Sequence, residues 1–125
     1  MITAVHTLIY ADDADAARAF FRDVIGWPHV DAHDGWLIFR TGPSELGVHP
    51  TATDGGEEPS STGKHHEVTL MCDDIERTVA ELTAKGATFT GGITEQDFGY
   101  ITTLRIPGAD EMLLYQAKHP SAYDL

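Results

Sequence analysis

Two stretches of the chain, residues 3–10 and 67–72, are rich in β-branched and other apolar residues and contain neither glycine nor proline. This composition predicts strands, in which alternate side chains point to opposite faces. An aspartate pair follows each stretch, at 12–13 and at 73–74, and its carboxylates can accept the free amide protons of a helix start. Apolar residues then recur at helical spacing. A strand followed by a capped helix is therefore predicted twice, at a constant offset of 61 residues.

The ends of the two helices carry recognisable signals. Gly26 and Gly86 are the expected ends, because glycine adopts the left-handed conformation of a helix C-terminus at little cost. Asp12 or Asp13 is the expected cap of the first helix, and Asp73 begins a stretch that resembles a capping box in the second. Short strands separated by turn residues follow each helix. These predicted strands are 29–33, 36–40 and 45–49 in the first half, and 87–90, 100–106 and 111–116 in the second.

Residues 51–64 contain no large apolar residue and collect Gly, Pro, Ser and Thr, which is typical of a linker. They separate two units, 3–50 and 65–118, that share the order strand, helix, strand, strand, strand. Duplicated units usually bury a shared interface, and a chain of 125 residues fits one compact domain, 1–125. The predicted fold is therefore α+β, built from two βαβββ units.

The charge of the chain narrows the choice of partners. Twenty acidic residues against eight lysines and arginines give a formal net charge of −12. A field of this sign repels phosphate backbones and anionic lipids, so no nucleic acid or membrane partner is expected. It would attract a cationic ligand, although an acidic surface also serves solubility. The N-terminus lacks the basic and apolar segments of a leader, and no run reaches the length of a membrane span, so we expect a cytoplasmic location.

The single cysteine and several histidines are not expected to carry chemistry. Cys72 excludes an intrachain disulfide, and it shares a strand face with Leu70, which indicates a small core residue rather than a reactive thiol. His29, His33 and His119 have no partner at a diagnostic spacing, so we expect them at the surface. The paired glycines lack the context of a phosphate-binding loop, which makes a nucleotide cofactor unexpected.

The repeated strand, aspartate pair, helix and glycine resemble the vicinal oxygen chelate superfamily, as do the turn Ile-Pro-Gly at 106–108 and the closing Leu-Leu-Tyr-Gln at 113–116. This superfamily includes glyoxalases, bleomycin-resistance proteins and extradiol dioxygenases, and the resemblance covers residues 3–118. It implies curved mixed sheets that form a cup. It also implies a homodimer, in which each cup is often built from units of both chains. Whether the units pair within one chain or between chains stays open.

Metal-dependent members of this superfamily carry ligands on the first and last strands of each unit, typically His, Gln or Glu. By resemblance, these four positions are His6, Leu46, Glu67 and Leu113. Leucine cannot ligate a metal, and catalytic zinc sites generally keep three protein ligands. Glu111 shares the face of Leu113 in a regular strand, so a site of His6, Glu67 and Glu111 is conceivable. No cofactor is therefore expected, with a divalent metal at His6 and Glu67 as the alternative.

The positions that correspond to the lining of the superfamily's cup are mostly apolar and aromatic, as a small-molecule site requires. The same rings could instead belong to the core or to a dimer interface. The candidate ligand-binding residues are His6, Leu8, Tyr10, Trp36, Phe39, Leu46, Glu67, Thr69, Met71, Tyr100, Leu113 and Tyr115.

Two functions are compatible with these residues. The first is a metal-independent small-molecule-binding protein of the glyoxalase/bleomycin-resistance type, which holds an aromatic or cationic compound in its cup. The alternative is a metal-dependent lyase or isomerase that acts on an α-oxo or vicinal-dioxygen substrate, with Glu67 or Glu111 as the catalytic base. Because two of the four ligand positions are leucine, the sequence favours the binding protein.

Overall fold

The computed structural model describes residues 4, 6–48, 50–53, 60–61 and 63–125 of the chain. The predicted α+β class is confirmed. The helical segments are α1 (Ala14–Phe20), a π-helical turn that continues it (Phe21–Ile25), and α2 (Ile75–Ala84). The strands are β1 (His29–Asp31), β2 (Leu37–Phe39), β3 (Ala52–Thr53), β4 (Ser60–Ser61), β5 (Thr69–Met71), β6 (Phe89–Gln96), β7 (Gly99–Leu104) and β8 (Met112–Ala117).

The second half of the chain forms a four-stranded sheet with the order β5-β8-β7-β6. β5 and β8 run parallel, with Thr69 opposite Leu113, and the other neighbouring strands are antiparallel. Gly91 and Gly92, which follow the predicted strand 87–90, do not interrupt β6. Instead, the register against β7 shifts between Thr90 and Thr94. The two glycines lie in this irregular segment, and the strand continues beyond it. With α2 between β5 and β6, this half is a complete βαβββ unit.

Both helices begin at an aspartate cap, and in each pair it is the second aspartate that caps. The Asp13 carboxylate accepts a hydrogen bond from the Ala16 amide at 3.0 Å, and the Asp74 carboxylate accepts one from the Arg77 amide at 3.1 Å. The expectation of Asp73 as the cap of the second helix is therefore wrong by one residue. Within the described part of the chain, neither helix is long and apolar enough to cross a membrane.

The first half pairs far fewer strands than its sequence predicts. β1 and β2 form a two-stranded antiparallel hairpin, with Val30 opposite Ile38. The predicted strand over 3–10 is absent from its described residues, 4 and 6–10, and the predicted strand over 45–49 is absent from residues 45–48, residue 49 lying outside the described residues. None of these described residues pairs in a ladder, so the strand prediction is wrong there.

The predicted linker also differs from expectation. Within it, Ala52 pairs with Ser61 and Thr53 with Ser60, so β3 and β4 form a short antiparallel ladder of their own. A stretch of polar and small residues can still pair its backbone, because ladder hydrogen bonds need no apolar side chain.

The hydrophobic core joins the two halves. α1, which belongs to the first unit, packs its apolar side against the sheet of the second unit, and the Asp13 amide donates a hydrogen bond to the Gly108 carbonyl at 3.1 Å. Burial of apolar surface is the main favourable term in folding, so this cluster is where the stability of the fold resides. Its buried members are Ala17, Phe20, Phe21, Ala87, Leu104, Ile106 and Met112.

Candidate functional site

A large open cavity lies beside β5, the strand at the edge of the four-stranded sheet. Its volume is about 2320 Å³, and segments of both halves line it, including residues 6–9, 36–39, 43–47 and 63–73. Ligand pockets for drug-sized molecules usually measure about 300 to 1,000 Å³, so this cavity exceeds what one small compound would fill. Among the residues that the structure describes, no strand pairs with the outer edge of β5, and segments of the first half that belong to no sheet line the space beside it.

The cavity gathers most of the residues that the sequence singled out, but not all of them. Tyr10, Tyr100, Leu113 and Tyr115 lie outside its lining. The sequence-predicted candidates that do line it are His6, Leu8, Trp36, Phe39, Leu46, Glu67, Thr69 and Met71.

His6 and Glu67 share the cavity without forming a paired site. Both residues are exposed, and within the described part of the chain no hydrogen bond or ion pair connects them. The contact of the Glu67 carboxylate is with His65 Nε2 at 4.0 Å, an ion pair only when that imidazole is protonated. The two side chains are therefore available to a ligand but are not held in place by each other.

Glu111, the third conceivable ligand, is held elsewhere. Its Oε1 atom accepts a hydrogen bond from the Thr90 hydroxyl at 2.7 Å and lies 3.5 Å from Arg105 Nε. With Arg105 it lines a separate cavity of about 390 Å³ and is absent from the lining that contains His6 and Glu67. The structure does not bring the three residues together as one site.

Two of the candidate aromatic rings already face a cation of the chain itself. The Arg18 guanidinium carbon lies 4.6 Å from the centroid of the half-exposed Trp36 ring, and the Lys118 ammonium nitrogen lies 5.0 Å from the centroid of Tyr100. Such distances are those of cation–π interactions. Trp36 lines the cavity, so its ring presents an aromatic surface there that accepts positive charge.

Cys72 directly follows β5, is half-buried and lies in the cavity lining. Its Sγ atom donates to the Tyr115 carbonyl at 3.7 Å. Burial, together with the negative charges of Asp73 and Asp74, raises the pKa of the thiol, against the opposing effect of a hydrogen bond with Thr78. The thiolate is therefore disfavoured, which agrees with a core role rather than a reactive one.

A polar cluster that the sequence did not reveal joins Glu45, Tyr115 and His119. The Tyr115 hydroxyl oxygen lies 2.8 Å from His119 Nε2 and 3.5 Å from Glu45 Oε1. Burial, and then the Glu45 carboxylate, raise the pKa of the Tyr115 hydroxyl. Glu45 and His119 both line the cavity. The sequence gives little indication of this cluster, because Glu45 and His119 are 74 positions apart. The predicted strand pattern also assigns the site position to Leu46 rather than to Glu45.

Comparison with known proteins identifies the family. The family model named Glyoxalase/Bleomycin resistance protein/Dioxygenase superfamily matches residues 3–112. The chain belongs to this superfamily. The resemblance that the repeated strand, aspartate pair and helix predicted is thereby confirmed.

Solved structures of the superfamily share the fold. A lactoylglutathione lyase from Agrobacterium tumefaciens is 21% identical, with a TM-score of 0.60 over 92% of this chain and 94% of that one. TnmS3, an antibiotic binding protein from Streptomyces sp. CB03234, is 17% identical, with a TM-score of 0.56 over 94% and 98% of the two chains. At these identities the similarity shows the fold alone. No curated protein sequence shows significant similarity to this chain.

The residues of this superfamily member do not fit the metal site that metal-dependent relatives carry. By resemblance, Leu46 and Leu113 stand at two of the four ligand positions, and neither has an atom that can coordinate a cation. Among the residues that the structure describes, no group of three His, Cys, Asp or Glu side chains is placed to hold a metal ion. His6 and Glu67 are thus what remains of the ligand set.

Proposed function

We propose that the chain is a small-molecule-binding protein of the glyoxalase/bleomycin-resistance type that holds an aromatic or cationic compound in the cavity beside β5. The observation that carries this proposal is the composition of the cavity wall. Apolar and aromatic side chains such as Leu8, Trp36 and Phe39 share it with a few polar groups, while two of the four metal-ligand positions are leucine. The antibiotic binding protein TnmS3 shares the fold and so provides a precedent for this use of it.

The electrostatics favour a positively charged ligand. A net charge of −12 raises the local concentration of cations around the molecule, and the ring of Trp36 already holds the Arg18 guanidinium against one of its faces. A ligand cation at the same ring would gain the same interaction, which is worth about 0.5 to 2 kcal/mol depending on solvent exposure.

Direct binding and metal analysis test this function together. We expect protein dialysed against a chelator to carry no stoichiometric divalent metal and still to quench its tryptophan fluorescence on titration with 2-(1-naphthyl)ethylamine. Trp36→Ala should weaken binding measured by calorimetry, whereas Phe98→Ala, which removes a similarly exposed ring outside the cavity lining, should not. A chelator-resistant metal at one per chain, with turnover of an α-oxo substrate, would instead favour the lyase or isomerase.

We also propose that two chains associate as a homodimer and that the second copy closes the open side of the cavity. The cavity is larger than one small ligand needs, and the first half leaves apolar side chains in solvent next to it. Two that line the cavity are more than half exposed, Leu8 at 62% and Leu46 at 86%, and Tyr10 and Val48, each 90% exposed, follow them two positions later in the chain. An unpaired strand edge beside them, at β5, is a template for pairing with another chain.

Size-exclusion chromatography with light scattering tests the dimer. We expect twice the mass of one chain for the wild type and the mass of one chain for Val48→Asp, because a buried unpaired charge opposes association. Ile93→Asp, on an exposed position of β6 in the other half, should leave the dimer intact. A monomeric wild type would contradict the proposal.

A further inference from the structure

Glu45 is the least exposed of the carboxylates that line the cavity. Its side chain is 15% exposed, against 58% for Glu67, which the sequence favours as the site carboxylate. Both line the same cavity. A carboxylate that is largely removed from water interacts more strongly with a nearby charge than one that is solvated, because the local dielectric screening is weaker.

The two oxygens of Glu45 have different surroundings. Oε2 accepts a hydrogen bond from the Ala122 amide at 2.8 Å, which fixes the carboxylate against the C-terminal segment. Oε1 has only long contacts, 3.5 Å to the Tyr115 hydroxyl and 3.8 Å to His119 Nε2. Within the described part of the chain, no lysine or arginine nitrogen lies within 4.0 Å of Glu45.

The hydrogen-bond partners of His119 show why Oε1 is left without a close donor. His119 Nδ1 lies 2.9 Å from the Pro120 carbonyl oxygen, which can only accept, so Nδ1 carries the proton of the neutral imidazole. Nε2 is then an acceptor, and the Tyr115 hydroxyl donates its single proton to it at 2.8 Å. That proton is not available to Glu45. One oxygen of an enclosed carboxylate therefore faces the cluster with no short hydrogen bond and no cation.

We propose that Glu45, held by Ala122 and flanked by Tyr115 and His119, is the anchor for the ammonium group of an amine ligand in the cavity. An ammonium group in the cavity would donate to Oε1, the oxygen that lacks a short hydrogen bond, and would lie beside His119, which lines the same cavity. This inference rests on the proposed function and names the residue and the ligand group that set its specificity.

Two compounds that differ in one group test the anchor. The probes are 2-(1-naphthyl)ethylamine and 2-(1-naphthyl)ethanol, titrated by calorimetry into chelator-treated protein at about pH 8, where histidine is ordinarily neutral and does not compete as a cation. We expect the wild type to bind the amine about tenfold more tightly than the alcohol, the ratio that one charge-assisted hydrogen bond supplies. Glu45→Gln should bind both compounds with the affinity that the wild type has for the alcohol.

Three further variants make the result specific. Glu45→Asp keeps the charge and should retain part of the preference for the amine. Glu67→Gln tests a second carboxylate of the cavity. Glu81→Gln, on the exposed side of α2, removes the same charge outside the cavity lining and should keep the full preference. Circular dichroism melts of each variant establish that it is folded.

The possible outcomes separate the anchor from the proposed function. Equal binding of both probes by the wild type would overturn the anchor while leaving the binding function in place. A preference that survives in folded Glu45→Gln, or that disappears in Glu67→Gln, would also overturn it. No binding of either probe would contradict the proposed function and the anchor with it.

Discussion

The two halves of the chain have the same sequence of residue types, but their strands pair to different extents. In the second half, β5 to β8 form one continuous sheet whose inner residues are buried, with Leu104 at 0% exposure. Among the described residues of the first half, only the short hairpin of β1 and β2 pairs, and the segments at 6–10 and 45–48 remain outside any ladder. A shared sequence pattern therefore does not guarantee a shared degree of pairing.

The difference lies in what covers each half. The sheet of the second unit is covered on one side by α2 and by α1, the helix that the first unit contributes to the core. The strand segments of the first unit have no comparable layer against them, and an unpaired strand gains neither ladder hydrogen bonds nor apolar burial. The second unit with α1 is thus the stable body of the fold, and the rest of the first unit forms the wall of the cavity.

Truncating a strand residue in each half gives the largest expected contrast. Leu104→Ala should lower the free energy of unfolding by about 3 kcal/mol, because it removes a fully buried side chain from the core. Val30→Ala, in the exposed hairpin, should cost about 0.5 kcal/mol or less. Urea unfolding monitored by circular dichroism measures both values. Equal losses would show that the hairpin is packed as tightly as the sheet, and the comparison would fail.

Glycine substitutions sharpen the same contrast. Gly108 has φ 76°, and a Cβ placed there would collide with the backbone of Asp13 at the start of α1. Gly35, in the hairpin turn, has φ 87° but no atom within 4 Å of such a Cβ. Gly35→Ala should therefore cost about 1 kcal/mol for the left-handed conformation alone, and Gly108→Ala clearly more, since α1 must also move. Thermal and urea unfolding measure the loss of stability in each variant. A larger loss for Gly35→Ala than for Gly108→Ala would show that α1 does not contact the turn at Gly108.

The helix caps show whether α1 unfolds with the second unit. Asp13→Ala and Asp74→Ala each remove the carboxylate that accepts a first-turn amide proton, and each should cost about 1 kcal/mol of global stability. Asp12→Ala is the matched control, because its neighbour is the cap. If Asp13→Ala left global unfolding unchanged while α1 amides exchanged faster with deuterium, α1 would fray separately from the sheet.

The smallest expected effect concerns Cys72, directly after β5. Its raised folded-state pKa means that the folded protein holds the thiol proton more tightly than the unfolded chain. The resulting stability is fully present below the pKa of the unfolded thiol and is lost as pH rises through the folded value. Wild-type stability should therefore decline in this alkaline range more than that of Cys72→Ala. Alkylation of folded Cys72 by iodoacetamide as fast as in urea would contradict the enclosed environment.

Local signals made the helices and the family predictable. The caps at Asp13 and Asp74 and the glycine ends depend on residues within one or two turns, so they can be recognised without knowledge of the rest of the fold. The repeat at a fixed offset added the order of the elements, which the second unit follows. The prediction for the cap of α2 was wrong by one position, because either aspartate of the pair can cap a helix.

The candidate site was less accessible to sequence reasoning, as Leu46 and Glu45 illustrate. Alternation along a strand turns Leu46 inward and Glu45 outward, but alternation holds only where a strand forms. The segment has no ladder partner here, and the Glu45 side chain is the enclosed one, fixed by an amide 77 positions later in the chain. Glu111 is a similar case, because Thr90 on β6 and Arg105, directly after β7, contact it in a cavity that contains neither His6 nor Glu67.

The sequence by itself determined the α+β class, the family resemblance and the two capped helices, because each follows from residue identity or from contacts within a few positions. Only the tertiary structure decided which predicted strands pair, that α1 packs on the sheet of the other unit, and that Glu45, Tyr115 and His119 meet. These outcomes depend on hydrogen bonds and apolar contacts between distant segments, and a strand or a site exists only once its partner is in place.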